Sequence, residues 1–223
     1  LLKSQIMVGA NAPAYSLGIR GAPGKSGIKE WSDVIVIRGD SDPHPTWGKW
    51  HGGSFCTRAD GKVLLAYRNV DTKKIFLSVV DNEDTLFSTH DSAAANEVEF
   101  YSFYSASTKK PRLIRLANGE ILLFILEYGL DNSSEYPHKV AVYKSANGLG
   151  TDFVFLTNAF ELTRFDYIYG FDPRLGQPIQ LPSGRILLPA GLGMNYVYTI
   201  YDLVIPDNCC LYSDDNGVTW NKS

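Results

Sequence analysis

Apolar residues in this chain come in short runs, some alternating with polar positions and some continuous, each bounded by Gly, Pro, Asn, Asp or Ser. That pattern predicts short β-strands joined by tight turns. One run recurs. Arg58-Ala59-Asp60-Gly61-Lys62-Val63-Leu64-Leu65 returns as Leu116-Ala117-Asn118-Gly119-Glu120-Ile121-Leu122-Leu123, and again as Leu181-Pro182-Ser183-Gly184-Arg185-Ile186-Leu187-Leu188. The turn glycines stand 58 and 65 residues apart. Each copy follows an apolar strand (53–57, 112–116 and 178–181) and opens a second one. Asp-Gly, Asn-Gly and Ser-Gly between strands predict a two-residue hairpin turn, because such turns require a positive φ that glycine adopts without a Cβ clash. Third strands are expected at 75–80, 139–143 and 208–212. Each is succeeded by a polar turn: Asp81-Asn82-Glu83-Asp84, Ser145-Ala146-Asn147-Gly148 and Ser213-Asp214-Asp215-Asn216-Gly217.

Four-stranded antiparallel sheets repeated at this spacing make an all-β β-propeller, one sheet per blade. Helical periodicity is confined to residues 91–97. Residues 1–32 are rich in Gly, Ala, Pro and Ser without a sustained period and read as a lead-in or linker segment, with the propeller region at 33–223. Three blades of about 60 residues each fall short of the roughly four to eight that close a ring. The expectation is a partial propeller, completed by blades beyond Ser223 or by a partner chain.

Composition narrows the function. The 44% of apolar residues supports a packed core, and the net charge of −3 disfavours a nucleic-acid partner steered by charge. The longest unbroken apolar run, 121–126, is far too short for a membrane span. Three cysteines make no disulfide framework. Adjacent Cys209 and Cys210 point to opposite faces of a strand, and Cys56 reads as a small buried hydrophobe. Residues 1–30 hold no secretory apolar core, and the first residue is Leu rather than Met, so the chain reads as a processed or partial product. His44, His51, His90 and His138 lack metal-ligand spacing, and no phosphate loop or nucleophile elbow is present, so no metal or cofactor is expected. Arg38-Gly39-Asp40 and the Asn132-Ser133-Ser134 sequon are short enough to arise by chance.

The segment Ser213-Asp214-Asp215-Asn216-Gly217-Val218-Thr219-Trp220 matches Ser-x-Asp-x-Gly-x-Thr-Trp at every fixed position. It resembles the Asp-box (BNR repeat) of the sialidase, or neuraminidase, superfamily, and it falls where the repeat places the turn between third and fourth strands. Residues 176–189 are similar to the blade that carries an Asp-box in bacterial sialidases; 145–148 resembles a degenerate copy and 81–84 a remnant. The resemblance covers residues 50–223. Its residues have a structural reading. Asp215 can accept hydrogen bonds from the turn's backbone N–H groups, Gly217 permits the special dihedral, and Trp220 packs between strands. The turn lies opposite a propeller's usual ligand face.

The resemblance implies a six-bladed ring and exo-hydrolysis of terminal acidic sugars, sialic acid above all. It also implies three arginines on the substrate carboxylate, an Asp as general acid and a Tyr–Glu nucleophile pair. Guanidinium groups grip a carboxylate bidentately, and a neutral Tyr avoids repulsion between an anionic sugar and an attacking carboxylate. Asp71 stands near the position of the acid, with Arg68 in the same loop. Where the family has Arg-Ile-Pro, this chain has His51-Gly52-Gly53-Ser54. The remaining arginines and the Tyr–Glu pair belong to blades after Ser223, so the segment does not contain a complete sialidase site.

Candidate residues on the ligand face are therefore Asp71, Arg68, Glu127 and Asp131 for chemistry, with Glu135 nearby, and Arg112, His51 and Tyr196 for binding, with Tyr198 and Tyr201. Each has a plainer reading: an exposed loop pair for Arg68 and Asp71, solvated loop acids, a locally paired Arg112, a turn histidine, strand tyrosines. The functional expectation is a glycan-processing, extracellular or surface-exposed propeller whose partner is a glycan. The alternative is a non-catalytic glycan-binding or adhesin propeller, as in a phage tail fibre or cell-surface protein. The absent Arg-Ile-Pro favours that alternative, as do the degenerate earlier turns. A purely structural module is a third reading.

Overall fold

The computed structural model describes residues 5–7, 17–20, 35–38, 50–69, 72, 74–82, 96–102, 109–127, 138–162, 174–191 and 208–223. The chain divides into two compact units, residues 1–106 and 107–223. Among the described residues there is no α-helix.

The first unit holds a three-stranded antiparallel meander of β1 (Gln5–Met7), β2 (Leu17–Arg20) and β3 (Ile35–Arg38). Two of these strands lie within 1–32, where the sequence shows no period. At three and four residues they are too short for alternation to register. The unit's second sheet runs in the order β4 (Trp50–Thr57), β5 (Val63–Asn69), β6 (Lys74–Val80) and β7 (Glu97–Ser102). Cys56 is half-buried rather than the buried small hydrophobe the sequence suggests.

In the second unit, β8 (Lys109–Arg115), β9 (Ile121–Glu127), β10 (His138–Ser145) and β11 (Val154–Leu162) form a four-stranded antiparallel sheet. A further sheet begins with a strand in two pieces, β12 (Arg174–Leu175) and β13 (Ile179–Gln180), both paired with β14 (Ile186–Gly191). It continues through β15 (Asn208–Ser213) to β16 (Asn221–Lys222). None of the three cysteines forms a disulfide.

The repeated hairpin turns are built alike, and each is one residue longer than the sequence predicts. Arg58 N–H donates to Lys62 C=O (2.7 Å) and Gly61 N–H to Arg58 C=O (3.2 Å). The same two bonds recur at Leu116 to Glu120 and at Leu181 to Arg185. The loop therefore has three residues, ending on a left-handed glycine, with φ of 82° at Gly61, 91° at Gly119 and 89° at Gly184. A side chain locks each loop: Asp60 Oδ1 accepts from Lys62 N–H, Asn118 Oδ1 from Glu120 N–H and Ser183 Oγ from Arg185 N–H. A Cβ at any of these glycines would meet nothing within 4 Å. Gly119→Ala and Gly184→Ala are thus expected to cost only the left-handed backbone strain, about 1 kcal/mol each. The double variant should lose the sum, read as the shift in urea midpoint.

The two sheets of the second unit meet across one apolar layer. Ile114, Leu122, Phe124, Leu126, Val140 and Val142 come from one side, and Leu175, Ile186, Leu188, Ala190 and Leu211 from the other. Residues 121–126 are buried on both faces of β9, so the continuous apolar run of the sequence is a central strand.

Candidate functional site

Antiparallel pairing sends the Gly turns and the third-to-fourth turns to one end of each sheet, and the first-strand starts and second-to-third connections to the other. At the turn end, Ser213 is fully buried, and its Oγ accepts from Gly217 N–H (2.8 Å) while donating to Asp215 Oδ1 (2.8 Å). Asp215 Oδ1 also accepts from Thr219 N–H (2.8 Å) and Val218 N–H (3.1 Å), and Oδ2 from the Thr219 hydroxyl (2.6 Å). Trp220 Nε1–H donates to Gly217 C=O (2.8 Å), which turns the indole edge-on to Phe124, centroids 5.4 Å apart. Between β10 and β11 the same device appears in weaker form. Ser145 Oγ accepts from Gly150 N–H (2.9 Å) and donates its one proton to Asp152 Oδ1, with Asn147 Oδ1 2.9 Å away, while Asn147 Oδ1 accepts from Leu149 N–H (2.7 Å). The side chains of Ser213, Asp215, Thr219 and Trp220 are thereby spent on the turn itself.

Burial pushes the Asp215 carboxyl up, but the hydrogen bonds from Thr219, Ser213 and Val218 outweigh it and hold the group below the ordinary aspartate value. The bond from Arg185 does the same for Asp214, and that from Lys62 for Asp81. Because these folded-state values are depressed, the stability they lend is complete above the unfolded aspartate pKa of about 3.9 and is lost as pH falls through the folded values. The melting temperature should therefore stay level down to about pH 4 and fall below it, more shallowly in Asp215→Asn.

The first strands share a device at the other end. The register slips between His51 and Ser54 in β4 and between Lys109 and Arg112 in β8, and residues 176–178 interrupt the corresponding strand of the last sheet. Gly53, Pro111 and Gly176 each stand eight residues before their turn glycine. A bulge there bends the strand and re-aims the next side chain. In β8 that side chain is Arg112. Its Nε donates to the carbonyls of Leu175 (3.1 Å) and Gly176 (3.2 Å), Nη2 to Leu175 (2.9 Å) and Nη1 to Pro111 (3.1 Å). Burial lowers its pKa from the ordinary value. Gln177 reciprocates, its Nε2 donating to Leu113 C=O (2.9 Å). Arg112 thus ties the two first strands together through main-chain acceptors.

Glu127 ends β9 at this same end. It pairs across the strands with Lys139 at 3.2 Å, and its Oε1 is buried without a hydrogen-bond partner. Asn69 occupies the equivalent place in the first repeat, eight residues after its turn glycine, and its Oδ1 accepts from Thr72 N–H (2.9 Å). His51 and Arg68 are backbone partners on β4 and β5. Asp71, Asp131 and Tyr196 lie outside the described residues, as do Glu135, Tyr198 and Tyr201. No hydrogen bond or ion pair joins Arg112 to Glu127 among the described residues. Lys139 and the recurring bulge were missed in the sequence, although the punctuation at a fixed offset from the turn glycine signals the latter. Among the described residues no cluster of His, Cys, Asp and Glu is fit to hold a metal ion, and no helix is long and apolar enough to cross a membrane.

No protein-family profile matches the chain, and no curated protein does. Solved structures do. An α-L-arabinanase from Penicillium chrysogenum, complexed with arabinobiose, matches with TM-score 0.55 at 13% identity, over 95% of this chain and 56% of its own. A Hadza microbial sialidase matches with TM-score 0.52 at 13% identity, over 95% and 45%. A protein of unknown function from Dyadobacter fermentans matches with TM-score 0.53 at 18% identity, over 85% and 56%. The chain spans about half the length of each. With three sheets of the same antiparallel order, these likenesses define the fold class: an all-β propeller of four-stranded blades, about three of them here. The sheets β4–β7, β8–β11 and β12–β16 are the first, second and third blades.

Proposed function

We propose that this chain is part of a glycan-processing propeller of the sialidase type, in which the end of the blades opposite the Ser213–Trp220 turn receives a terminal acidic sugar and, in the complete ring, hydrolyses its glycosidic bond. The observation that carries the reading is the hydrogen-bonded form of that turn, which is what an Asp-box would make of Ser213, Asp215, Gly217, Thr219 and Trp220. The fold likeness to an arabinanase and a sialidase supports a carbohydrate ligand. In this reading Asp71 is the general acid and Arg68 faces the substrate, while Glu127 and Asp131 serve as acid/base groups at the same end and His51 and Tyr196 line the sugar. Such a protein acts outside the cell or on its surface.

One observation favours the second reading, a glycan-binding propeller without catalysis. Arg112, the arginine that begins the second blade, spends its guanidinium on main-chain carbonyls rather than holding it for a ligand carboxylate. The two separate in one experiment: the full-length natural protein is incubated with sialylated and neutral oligosaccharides, and released monosaccharides are quantified. The hydrolase reading predicts release of the acidic sugar, reduced about 100-fold in Glu127→Gln. Binding to the same glycans with no release establishes the binder, and neither binding nor release defeats both.

A further inference from the structure

The turn between β10 and β11 repeats bonds of the Ser213–Trp220 turn, with an amide where the other has a carboxylate. Ser145 Oγ accepts from Gly150 N–H (2.9 Å) as Ser213 Oγ accepts from Gly217 N–H (2.8 Å). Asn147 precedes Thr151 by the same interval as Asp215 precedes Thr219. The bond to the hydroxyl runs the opposite way. Thr219 donates to Asp215 Oδ2 (2.6 Å), whereas Thr151 Oγ1 accepts from Asn147 Nδ2 (3.1 Å). Asn147 is exposed and is followed by Gly148, whose φ is 68°. An asparagine before glycine can lose its amide when the glycine nitrogen attacks the side-chain carbonyl, since no Cβ stands in the way.

We propose that Asn147 is a self-deamidation site whose aspartate product completes this turn. Leu149 N–H donates to Asn147 Oδ1 (2.7 Å), which folds the amide over the Gly148 peptide and stabilises negative charge gathering on that oxygen. Gly148 N–H has no acceptor in hydrogen-bonding geometry among the described residues. The exposed Thr151 hydroxyl sits on Nδ2 with a proton to give as that nitrogen departs. In the reaction the Gly148 nitrogen loses its proton to solvent base and bonds to Asn147 Cγ. The Cγ–Nδ2 bond breaks and the nitrogen leaves as ammonia. Water then adds at Cγ and reopens the ring on the Gly148 nitrogen, leaving an aspartate and an intact main chain. That carboxylate accepts from the Leu149 N–H and the Thr151 hydroxyl, as Asp215 accepts from Val218 N–H and the Thr219 hydroxyl. The same dipeptide occurs twice more with the reaction blocked. Gly119 N–H is held by Leu116 C=O (2.9 Å), and Asn118 Nδ2 by the Glu120 carboxylate (2.9 Å), which has no proton to give. Gly217 N–H is held by Ser213 Oγ (2.8 Å).

The other two Asn-Gly pairs serve as internal controls. The freshly prepared full-length natural protein is held at physiological temperature in mildly alkaline buffer, folded and urea-unfolded, and each asparagine is followed by peptide mass spectrometry. In the folded protein Asn147 should convert about tenfold or more faster than Asn118 and Asn216, a gap that closes in urea. Its product should be aspartate rather than isoaspartate. Thr151→Val, at an exposed position, should slow Asn147 towards the rate of the other two and leave those unchanged. A fresh sample already carrying aspartate at 147, with amides at 118 and 216, gives the same answer. Equal rates at the three sites in the folded protein, or a faster rate at 118 or 216, overturn the proposal. So do an Asn147 that keeps its amide, an isoaspartate product, and an unchanged Asn147 rate in Thr151→Val. No sugar enters the measurement, and the proposal stands apart from the glycan reading.

Discussion

Phe124→Ala is expected to destabilise the second unit by about 4 kcal/mol, the largest effect of any single truncation here. Phe124 is fully buried at the middle of the central strand β9, between the two sheets that share the unit's core. Removing the ring loses its burial and leaves a cavity that two hydrogen-bonded sheets cannot collapse to fill. It also removes the edge-on partner of Trp220, a contact worth about 1 kcal/mol beyond area. Equilibrium denaturation in urea should show the midpoint falling, together with a change in the fluorescence of the folded state as Trp220 loses its neighbour. A loss below about 1 kcal/mol would mean that the core between these sheets is not packed as described.

Gly217→Ala should cost about 3 kcal/mol, in contrast to about 1 for Gly119→Ala, although the two glycines have nearly the same φ, 90° and 91°. The difference is what surrounds them. A Cβ at Gly119 enters open space, whereas one at Gly217 would stand 2.7 Å from Leu122 Cδ1, a side chain itself fully buried and unable to move without disturbing the layer. Urea midpoints of the two variants, measured side by side, separate backbone strain from overpacking. Equal losses would show that the turn does not press on the neighbouring blade.

These two residues also show what the sequence makes legible. The run of apolar residues from 121 to 126 and the glycine at each turn announce a strand and a hairpin directly, since burial and positive φ act on residue type. The hairpin's length is less visible. Whether Arg58 pairs with Lys62 depends on the main chain, and a loop of two residues or three can carry the same Asp-Gly. The first-strand bulges sit at Gly53, Pro111 and Gly176, which the sequence displays as interruptions rather than as part of the repeat.

Side-chain roles divide in the same way. Ser213, Asp215, Thr219 and Trp220 bond within the eight positions of their own turn, so their structural role is local enough to read. Arg112 reads as a cation at a strand start, yet its partners are carbonyls 63 and 64 residues away, which no complementary side chain betrays. The Glu127–Lys139 pair likewise depends on strand register, which the pattern of apolar positions fixes only once the sheet order is known.

The central claim, that the blade end opposite the turns receives a terminal sugar, is tested most directly by binding of the full-length natural protein to an immobilised panel of glycans, scored for saturation and for competition by free monosaccharide. Saturable retention on glycans ending in an acidic sugar, competed by that sugar and weakened in Glu127→Gln, is the expected result. Retention on no glycan in the panel would contradict it.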